Sequence, residues 1–328
     1  MNEYTAKQIL NYIYENNLSE IYEITPFINI NLLEEERKLC EKYIRSKDID
    51  TLLESIINQY SSLKKNIYHK ITKLPTSLNK MGHMLECDNI NLNYFIGRNE
   101  ELQKIYVVLN KKIKNNALII GHPGTGKTSL LEAYAKKYGV KNIFVVECAK
   151  LISNTEFRGV FEQKIVELMK FAKTMNLILF FDELHVLMEL GKSQGGISIT
   201  DILKPYLLDN EMCFIGATTI KESDLLMSDE AFKRRFTTIY LPELADEQLL
   251  LIKEKFEQVI ACNSVLNKED TRDIIQELRS QLTTQYFPDK FIDFLDFMCS
   301  YKNVINNEIN YKILLKEYIS DQRMETFK

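Results

Sequence analysis

Clustered cysteines and histidines, the usual marks of a metal site or a redox centre, are missing from this sequence. The six cysteines lie far apart and form no C-x-x-C pair, and the four histidines show no metal-ligand spacing. We therefore interpret the cysteines as reduced thiols packed in the interior, and we expect no zinc site. The positions concerned are Cys40, Cys87, Cys148, Cys213, Cys262, Cys299, His69, His83, His122 and His185.

An excess of basic charge and a long apolar segment are missing as well. The net charge is −4 and the isoelectric point is near 5.8, which gives no electrostatic argument for nucleic acid as a partner. The apolar run LILFF (Leu177–Phe181) has the length of a strand and is far too short to span a bilayer. The opening residues MNEYTAKQIL contain no apolar signal core. We therefore expect a cytoplasmic protein with no membrane partner and no nucleic-acid partner.

The pattern of apolar residues predicts helices over residues 1–74. For example, Ile49, Leu52 and Ile56 repeat at helical spacing. Pro75 closes this part of the chain, and we interpret residues 75–93 as a linker. The sequence thus predicts an all-α N-terminal region.

Between residues 94 and 243, five short apolar segments alternate with helical ones. Such an alternation predicts a five-stranded parallel sheet covered by helices on both faces. Residues 244–328 show only helical periodicity, which predicts a small helical lid after the α/β domain. The predicted strands are Ala117–Ile120, Ile143–Glu147, Leu177–Phe181, Cys213–Ala217 and Thr237–Leu241.

GHPGTGKT, between the first predicted strand and a predicted helix, fits the phosphate-binding pattern G-x-x-x-x-G-K-[ST]. Glycines allow the backbone amides and the helix N-terminus to surround anionic oxygens. Lys127 should reach the β- and γ-phosphates of ATP, and the Thr128 hydroxyl should hold Mg²⁺. The nucleotide-binding residues predicted here are Gly121, His122, Pro123, Gly124, Thr125, Gly126, Lys127 and Thr128.

Two acidic residues follow the apolar strand in LILFFDELH. Ligands bind at the carboxyl ends of strands in open α/β sheets, so Asp182 and Glu183 are expected at the phosphate site. Asp182 would complete the set of Mg²⁺ ligands and thereby also contact the bound Mg²⁺–ATP. Glu183 would orient the water that attacks the γ-phosphate.

Two further motifs have both a structural and a functional interpretation. CFIGATT ends in Thr218 and Thr219, whose hydroxyls can cap the strand or reach the γ-phosphate. FKRRF places Arg234 and Arg235 side by side. Adjacent arginines are commonly solvated charge, but a guanidinium aimed at the γ-phosphate stabilises the transition state of phosphoryl transfer.

The order of these motifs resembles that of the AAA+ ATPases, and more narrowly that of the first nucleotide-binding domain of the ring-forming Clp chaperones and unfoldases. NYFIGRNEEL resembles the opening of that domain, SLNKMG its lead-in, and YFPDKFIDFLD its lid helix. DELH, LKP, GATT and RRF follow in the family's order. The resemblance extends over roughly residues 77–320.

The resemblance implies a role for each motif residue. It places Ile96 and Gly97 beside the adenine, makes Glu183 the hydrolytic glutamate and Thr219 a sensor of the γ-phosphate, and directs Arg234 and Arg235 into the site of a neighbouring subunit. Phe157 matches the pore-loop aromatic that grips a threaded polypeptide, although Glu156 stands where a basic residue is common.

The resulting hypothesis is a Mg²⁺-dependent ATPase that forms a homo-oligomeric ring of six subunits and remodels or unfolds a protein partner. Residues 1–74 do not resemble the N-terminal domain of the family, and we expect them to select the partner. A coiled middle region and a second ATPase domain are missing from the sequence, so we expect no direct role in proteolysis. Two alternatives stay open: a nucleotide-gated switch that threads nothing, and a DNA-associated ATPase of the initiator or loader type.

Overall fold

The computed structural model describes residues 9, 78, 81–87, 90–152, 158–187, 199–260, 266–305 and 310–326. Apart from Ile9, which is helical and buried, the predicted all-α region of residues 1–74 lies outside the described residues, as does Phe157. Two compact units make up the chain. The first consists of Met1–Glu86 and Val140–Ile215, and the second of Cys87–Gly139 and Gly216–Lys328.

Six strands form one sheet in the order β1-β3-β4-β5-β2-β6. β2 pairs with β6 and β3 with β4 in parallel, whereas β1 pairs with β3 in the antiparallel direction. The mixed α/β fold with a mostly parallel sheet and a helical C-terminal part is as predicted. The strands are β1 (Gly82–Met84), β2 (Asn116–Gly121), β3 (Ile143–Val146), β4 (Ile178–Phe181), β5 (Cys213–Thr218) and β6 (Phe236–Leu241).

The predicted five-stranded parallel sheet was one strand short, because β1 lies in the stretch interpreted as a linker. Its three residues, GHM, are too few to show an alternating pattern, so the strand depends on pairing with β3. Gly82 is paired with Val146, and a Cβ at Gly82 would collide with the carbonyl oxygen of Val145. Only glycine permits this close approach of the two backbones.

Helices flank these strands and form the C-terminal part of the chain. The structure assigns their bounds as α1 (Asn99–Leu109), α2 (Lys127–Tyr138), α3 (Cys148–Ile152), α4 (Arg158–Thr174), α5 (Ile199–Leu207), α6 (Ile220–Met227), α7 (Glu230–Lys233), α8 (Asp246–Ile260), α9 (Lys268–Gln281), α10 (Asp289–Ile305) and α11 (Tyr311–Thr326). Within the described ranges, no helix combines the length and the apolarity that crossing a membrane requires.

In the first unit, the buried strands β3 and β4 form the centre of the core. Phe144 of β3 and Phe180 and Phe181 of β4 are almost completely buried, and the rings of Phe181 and Phe214 lie 6.3 Å apart. Helix α4 contributes its apolar face, including the fully buried Ile165. This packing fixes the carboxyl end of β4, where the chain continues into Asp182.

In the second unit, β2 is buried along its whole length and pairs with β6. The helices α8 to α11 enclose a separate apolar core, in which Leu249, Ile252 and Phe256 of α8 are buried as their helical spacing predicts. Phe291 and Phe294 of α10 complete this core. The C-terminal helices therefore have an apolar interior of their own.

Candidate functional site

The loop from Gly121 to Thr128 joins the buried strand β2 to helix α2 in the predicted way. Gly124 has φ 72° and Gly126, the N-cap residue of α2, has φ 88°. Residues with a Cβ rarely adopt this left-handed conformation, so the two glycines allow the tight turn of the loop. The backbone amides at the start of α2 and the positive end of the helix dipole make this loop suited to anions.

Lys127 brings a positive charge to the same loop. Its Nζ donates hydrogen bonds to the carbonyl oxygens of Gly121, at 3.0 Å, and His122, at 2.9 Å. The Thr125 hydroxyl also donates to the His122 carbonyl, at 2.8 Å, and the Thr125 side chain is buried. Thr128 is exposed at the start of α2. The loop thus combines an ammonium group, a helix N-terminus and an exposed threonine.

The turn before α10 packs against this loop, which the sequence did not indicate. The ring of Tyr286 stacks on the ring of His122, with centroids 3.8 Å apart and planes 7° from parallel. A Cβ on Gly124 would lie only 2.7 Å from Cβ of Asp289. Burial raises the pKa of the Asp289 carboxyl group, and the nearby Asp293 raises it further. The only signal for this contact was the resemblance of YFPDKFIDFLD to the lid helix of a known family.

Lys290 holds the same turn from inside the helical core. Its side chain is almost completely buried, and its Nζ donates to the carbonyl oxygens of Leu282, at 2.9 Å, and Gln285, at 2.8 Å. The ammonium lies 4.3 Å from the centroid of the Phe287 ring. Burial lowers the pKa of Lys290, an effect that the charge of Glu243 opposes. The buried lysine therefore ties residues 282–285 to the start of α10.

Replacing Lys290 with methionine is expected to lower the free energy of unfolding by about 1–3 kcal/mol, because two carbonyl groups lose a charged donor. Urea denaturation of the full chain, followed by circular dichroism, measures this change. The matched control is Lys316→Met on α11, where the side chain is exposed and the expected change is within about 0.5 kcal/mol. Equal effects of the two substitutions would contradict the role assigned to Lys290.

The residues predicted to lie beside the adenine are held close to the C-terminal helices. Ile96 packs against the core of those helices, and a Cβ on Gly97 would collide with the side chain of Gln248. The next residue, Arg98, has φ 64° and is buried, and its Nη2 donates to the carbonyl oxygen of Pro242 at 2.6 Å. Burial lowers the pKa of Arg98, an effect that Glu101 opposes. Arg98 therefore anchors the Ile96–Gly97 segment.

Asp182 and Glu183 follow the carboxyl end of β4 in the first unit. Asp182 is half-buried, and its Oδ1 accepts a hydrogen bond from the Glu183 amide at 3.1 Å. Glu183 is exposed and has φ 53°, a conformation that costs a residue with a side chain about 1–3 kcal/mol. Backbone strain of this kind is concentrated at functional sites.

The thiol of Cys148 lies behind this pair of acidic residues. Its Sγ donates to the carbonyl oxygen of Asp182 at 3.2 Å. Burial, followed by the charges of Asp182 and Glu183, raises the pKa of Cys148 to about 12. The thiol therefore stays protonated, and Cys148 acts as a buried structural group, in keeping with the interpretation of the cysteines as interior thiols.

Thr219 serves as the N-cap of α6, where its hydroxyl oxygen accepts from the Glu222 amide at 3.3 Å. The structure thus shows a helix cap at Thr219, where the sequence suggested a strand cap or a contact with the γ-phosphate, and the hydroxyl hydrogen is not used in that bond. Arg234 lies after α7 with an exposed side chain, and its Nη2 is 3.2 Å from Oε2 of Glu230. The half-buried Arg235 follows and leads directly into β6.

Residues 117–244, which contain the phosphate loop, Asp182, Glu183 and the arginine pair, match the ATPase family associated with various cellular activities (AAA). The chain is 35% identical over 230 residues to the ATP-binding subunit ClpE of the Clp protease of Bacillus subtilis, a match that includes 66% of this chain and 32% of that protein. The chain contains an AAA+ domain of the Clp family.

Other Clp proteins match longer parts of the chain. The chaperone ClpB of Rickettsia conorii is 31% identical over 273 residues, which include 79% of this chain and 30% of that protein. ClpB of Wolinella succinogenes is 32% identical over 318 residues, which include 91% of this chain and 36% of that protein. This second match leaves out less than a tenth of the chain and must therefore extend into residues 1–74. The chain spans about a third of the length of these curated relatives.

Solved structures of Hsp104 share the fold of this Clp-type domain. A closed-state structure of Hsp104 with ATPγS and labelled casein has a TM-score of 0.63 and 25% identity, and the similarity covers 75% of this chain and 45% of that one. The Saccharomyces cerevisiae Hsp104–ADP complex has a TM-score of 0.61 and 26% identity, with 74% and 44% of the two chains covered. The similarity supports the AAA+ architecture of the sheet and the C-terminal helices.

Proposed function

We propose that this chain is a cytoplasmic ATPase that binds ATP with Mg²⁺ and hydrolyses it to ADP and phosphate. The observation that carries the proposal is the loop between β2 and α2. In this loop, left-handed glycines, the N-terminus of a helix and the ammonium group of Lys127 meet at one place. A triphosphate supplies the negative charge that such a loop stabilises. The match to the AAA family over residues 117–244 supports the same conclusion.

Mg²⁺ prefers oxygen ligands, and Thr128 and Asp182 both carry side-chain oxygens. The exposed hydroxyl of Thr128 and the half-buried carboxylate of Asp182 would hold the ion. When bound, Mg²⁺ neutralises charge on the phosphate oxygens. Glu183 would accept a hydrogen bond from the attacking water, and the hydroxyl of Thr219 would donate to the γ-phosphate. These roles are proposed from the residue types, from their positions at strand ends, and from the Clp family.

We further propose that the chain forms a homo-oligomeric ring, with six subunits, that remodels a protein partner. The relatives are named as Clp chaperones and as the ATP-binding subunit of a protease, and two Hsp104 structures contain casein. In the ring, Arg234 or Arg235 of one subunit would reach the phosphate site of the next. Residues 1–74 would select the protein partner, and Phe157 would contact it in the pore.

The proposal is tested with the full chain in three measurements. Phosphate release from ATP should depend on Mg²⁺ and stop when EDTA is added. Native mass spectrometry with ATPγS should show a species of six chains. Unfolding of a fluorescently labelled substrate protein should require ATP hydrolysis. A chain that neither binds nor hydrolyses ATP would overturn the proposal, whereas hydrolysis without a ring would overturn its second part.

Replacing Phe157 with alanine separates a threading motor from a nucleotide-gated switch. An aromatic side chain on a pore loop can grip any polypeptide by apolar contact, so we expect Phe157→Ala to lose most of the remodelling activity. ATP hydrolysis should remain within about twofold of the wild-type rate, since Phe157 has no proposed role in the chemistry. Both rates are measured in the same reaction, by phosphate release and by substrate fluorescence.

The matched control for this substitution is Phe157→Tyr, which keeps an aromatic ring and should retain remodelling. A switch that recruits partners without threading would be indifferent to both changes. Binding to duplex DNA that weakens steeply with salt would instead support the DNA-associated alternative.

A further inference from the structure

We propose that Tyr286 is a positioning residue for ATP, and that it acts by stacking on His122. The inference rests on the proposed ATP binding and adds a residue outside the phosphate-loop motif to that site. It concerns the lid turn, defined here as residues 282–289, and its contact with the phosphate loop, residues 121–128. Both segments belong to the second compact unit.

The contact between the two rings is close and nearly parallel. The centroids of His122 and Tyr286 are 3.8 Å apart and the ring planes differ by 7°. Stacked aromatic pairs commonly have centroids about 4.5–7 Å apart, so these rings are in full face-to-face contact. Both side chains are half-buried, and the stack therefore also removes apolar area from water.

His122 connects the lid turn to the residue that would contact the phosphates. While its ring packs on Tyr286, its carbonyl oxygen accepts hydrogen bonds from Lys127 Nζ, at 2.9 Å, and from the Thr125 hydroxyl, at 2.8 Å. A displacement of the Tyr286 ring would move His122 and the carbonyl group to which the Lys127 ammonium is bonded. The stack therefore fixes the shape of the phosphate loop at its second residue.

Hydrogen bonds hold the backbone of the lid turn on both sides of Tyr286. The buried Lys290 donates to the carbonyl group of Gln285, the residue before Tyr286. The amide of Phe287, the residue after Tyr286, donates to Oε1 of Glu243 at 2.7 Å. Because both neighbours of Tyr286 are hydrogen-bonded, the backbone that carries its ring is held next to His122.

A second contact keeps the lid turn on the loop. A Cβ on Gly124 would lie 2.7 Å from Cβ of Asp289 and 3.1 Å from its Oδ2, so the glycine leaves just enough room for the aspartate. The loop is thus held at two of its residues by two residues of the turn. A loop that is ordered before ATP binds loses less conformational entropy on binding, and its affinity is correspondingly higher.

The inference predicts a change in ATP affinity and a much smaller change in the chemical step. We expect Tyr286→Ala to raise the dissociation constant for Mg²⁺ and AMP-PNP by about two- to tenfold, the range given by the loss of one aromatic pair. His122→Ala should raise the dissociation constant by a similar factor. The double variant should have a dissociation constant no higher than that of the single variant with the lower affinity. Tyr286→Phe, which keeps the ring, should bind within about twofold of the wild type.

Isothermal titration calorimetry of the full chain with AMP-PNP measures these constants, and steady-state ATPase assays separate KM from kcat. Tyr301→Ala is the matched control, since Tyr301 lies on α10 with its ring 6.3 Å from that of Phe297. It should lower the thermal midpoint without changing AMP-PNP affinity.

Two outcomes would overturn the inference alone: wild-type affinity in Tyr286→Ala, or additive losses from Tyr286→Ala and His122→Ala in the double variant. A wild-type chain that does not bind AMP-PNP would overturn the proposed ATP site as well, and the inference with it.

Discussion

Replacing Glu183 with glutamine is expected to lower kcat for ATP hydrolysis by about two to four orders of magnitude. A carboxylate can accept the proton of the attacking water and orient its lone pair, whereas the amide of glutamine is a much weaker base. Glu183 is exposed and follows Asp182 at the end of the buried strand β4. ATP affinity should stay close to that of the wild type, since the phosphate loop is unchanged.

The measurement is phosphate release under single-turnover conditions, with AMP-PNP binding determined in parallel. Glu147→Gln is the matched control, because Glu147 also follows a parallel strand of the first unit, β3. Its Oε1 is bonded to Lys150 Nζ at 2.7 Å and lies 3.2 Å from His83 Nδ1, which gives it a structural role. The expected kcat of Glu147→Gln is within about twofold of wild type. Equal losses in both variants would contradict the hydrolytic role of Glu183.

The strands that could be predicted are those that carry their own signal. Strand β2 contains the apolar run ALII and β4 the apolar run ILFF, so local composition was sufficient to find both. Strand β1 is different because its three residues form a strand only through pairing with β3. No pattern within GHM could reveal a partner far along the chain, and the sixth strand was missed for that reason.

The candidate site shows the same division between local and long-range information. The left-handed glycines and Lys127 belong to one short motif, which the sequence displays directly. The stacking of Tyr286 on His122 joins two segments far apart in sequence, and neither residue alone indicates the other. Lys290 was even less predictable, since a lysine usually marks a solvated surface and here its ammonium group is buried.

Replacing Arg234 and Arg235 together with alanine is expected to lower kcat by about three to five orders of magnitude, the range measured for arginines supplied to phosphoryl-transfer sites. The guanidinium group stabilises charge that spreads over the γ-phosphate oxygens in the transition state. Arg234 is available for this role because its side chain is 78% exposed and its contact is with the equally exposed Glu230. Such surface ion pairs contribute little free energy. Arg234 can therefore leave Glu230 for the γ-phosphate at little cost in stability.

Steady-state ATPase assays measure this loss, and Lys233→Ala is the control, since Lys233 is the exposed basic residue immediately before Arg234. AMP-PNP binding should persist in the double-alanine variant, because the phosphate loop and Mg²⁺ ligands are intact. If AMP-PNP affinity persists while ATP hydrolysis is lost, the arginines act in the chemical step. A double variant that hydrolyses ATP at the wild-type rate would contradict that assignment.

Mixing two inactive variants distinguishes arginines that act within one subunit from arginines that act on a neighbour. A chain with both arginines replaced keeps Glu183, and a Glu183→Gln chain keeps both arginines. Suppose that the arginines act across the interface between two subunits. Mixed rings then contain some interfaces with an intact glutamate on one side and intact arginines on the other, and activity returns. If each subunit supplies its own arginines, every site in the mixture lacks one of the two groups, and no ratio of the variants can restore hydrolysis. Recovery on mixing would therefore show that ATP cleavage requires two copies of the chain.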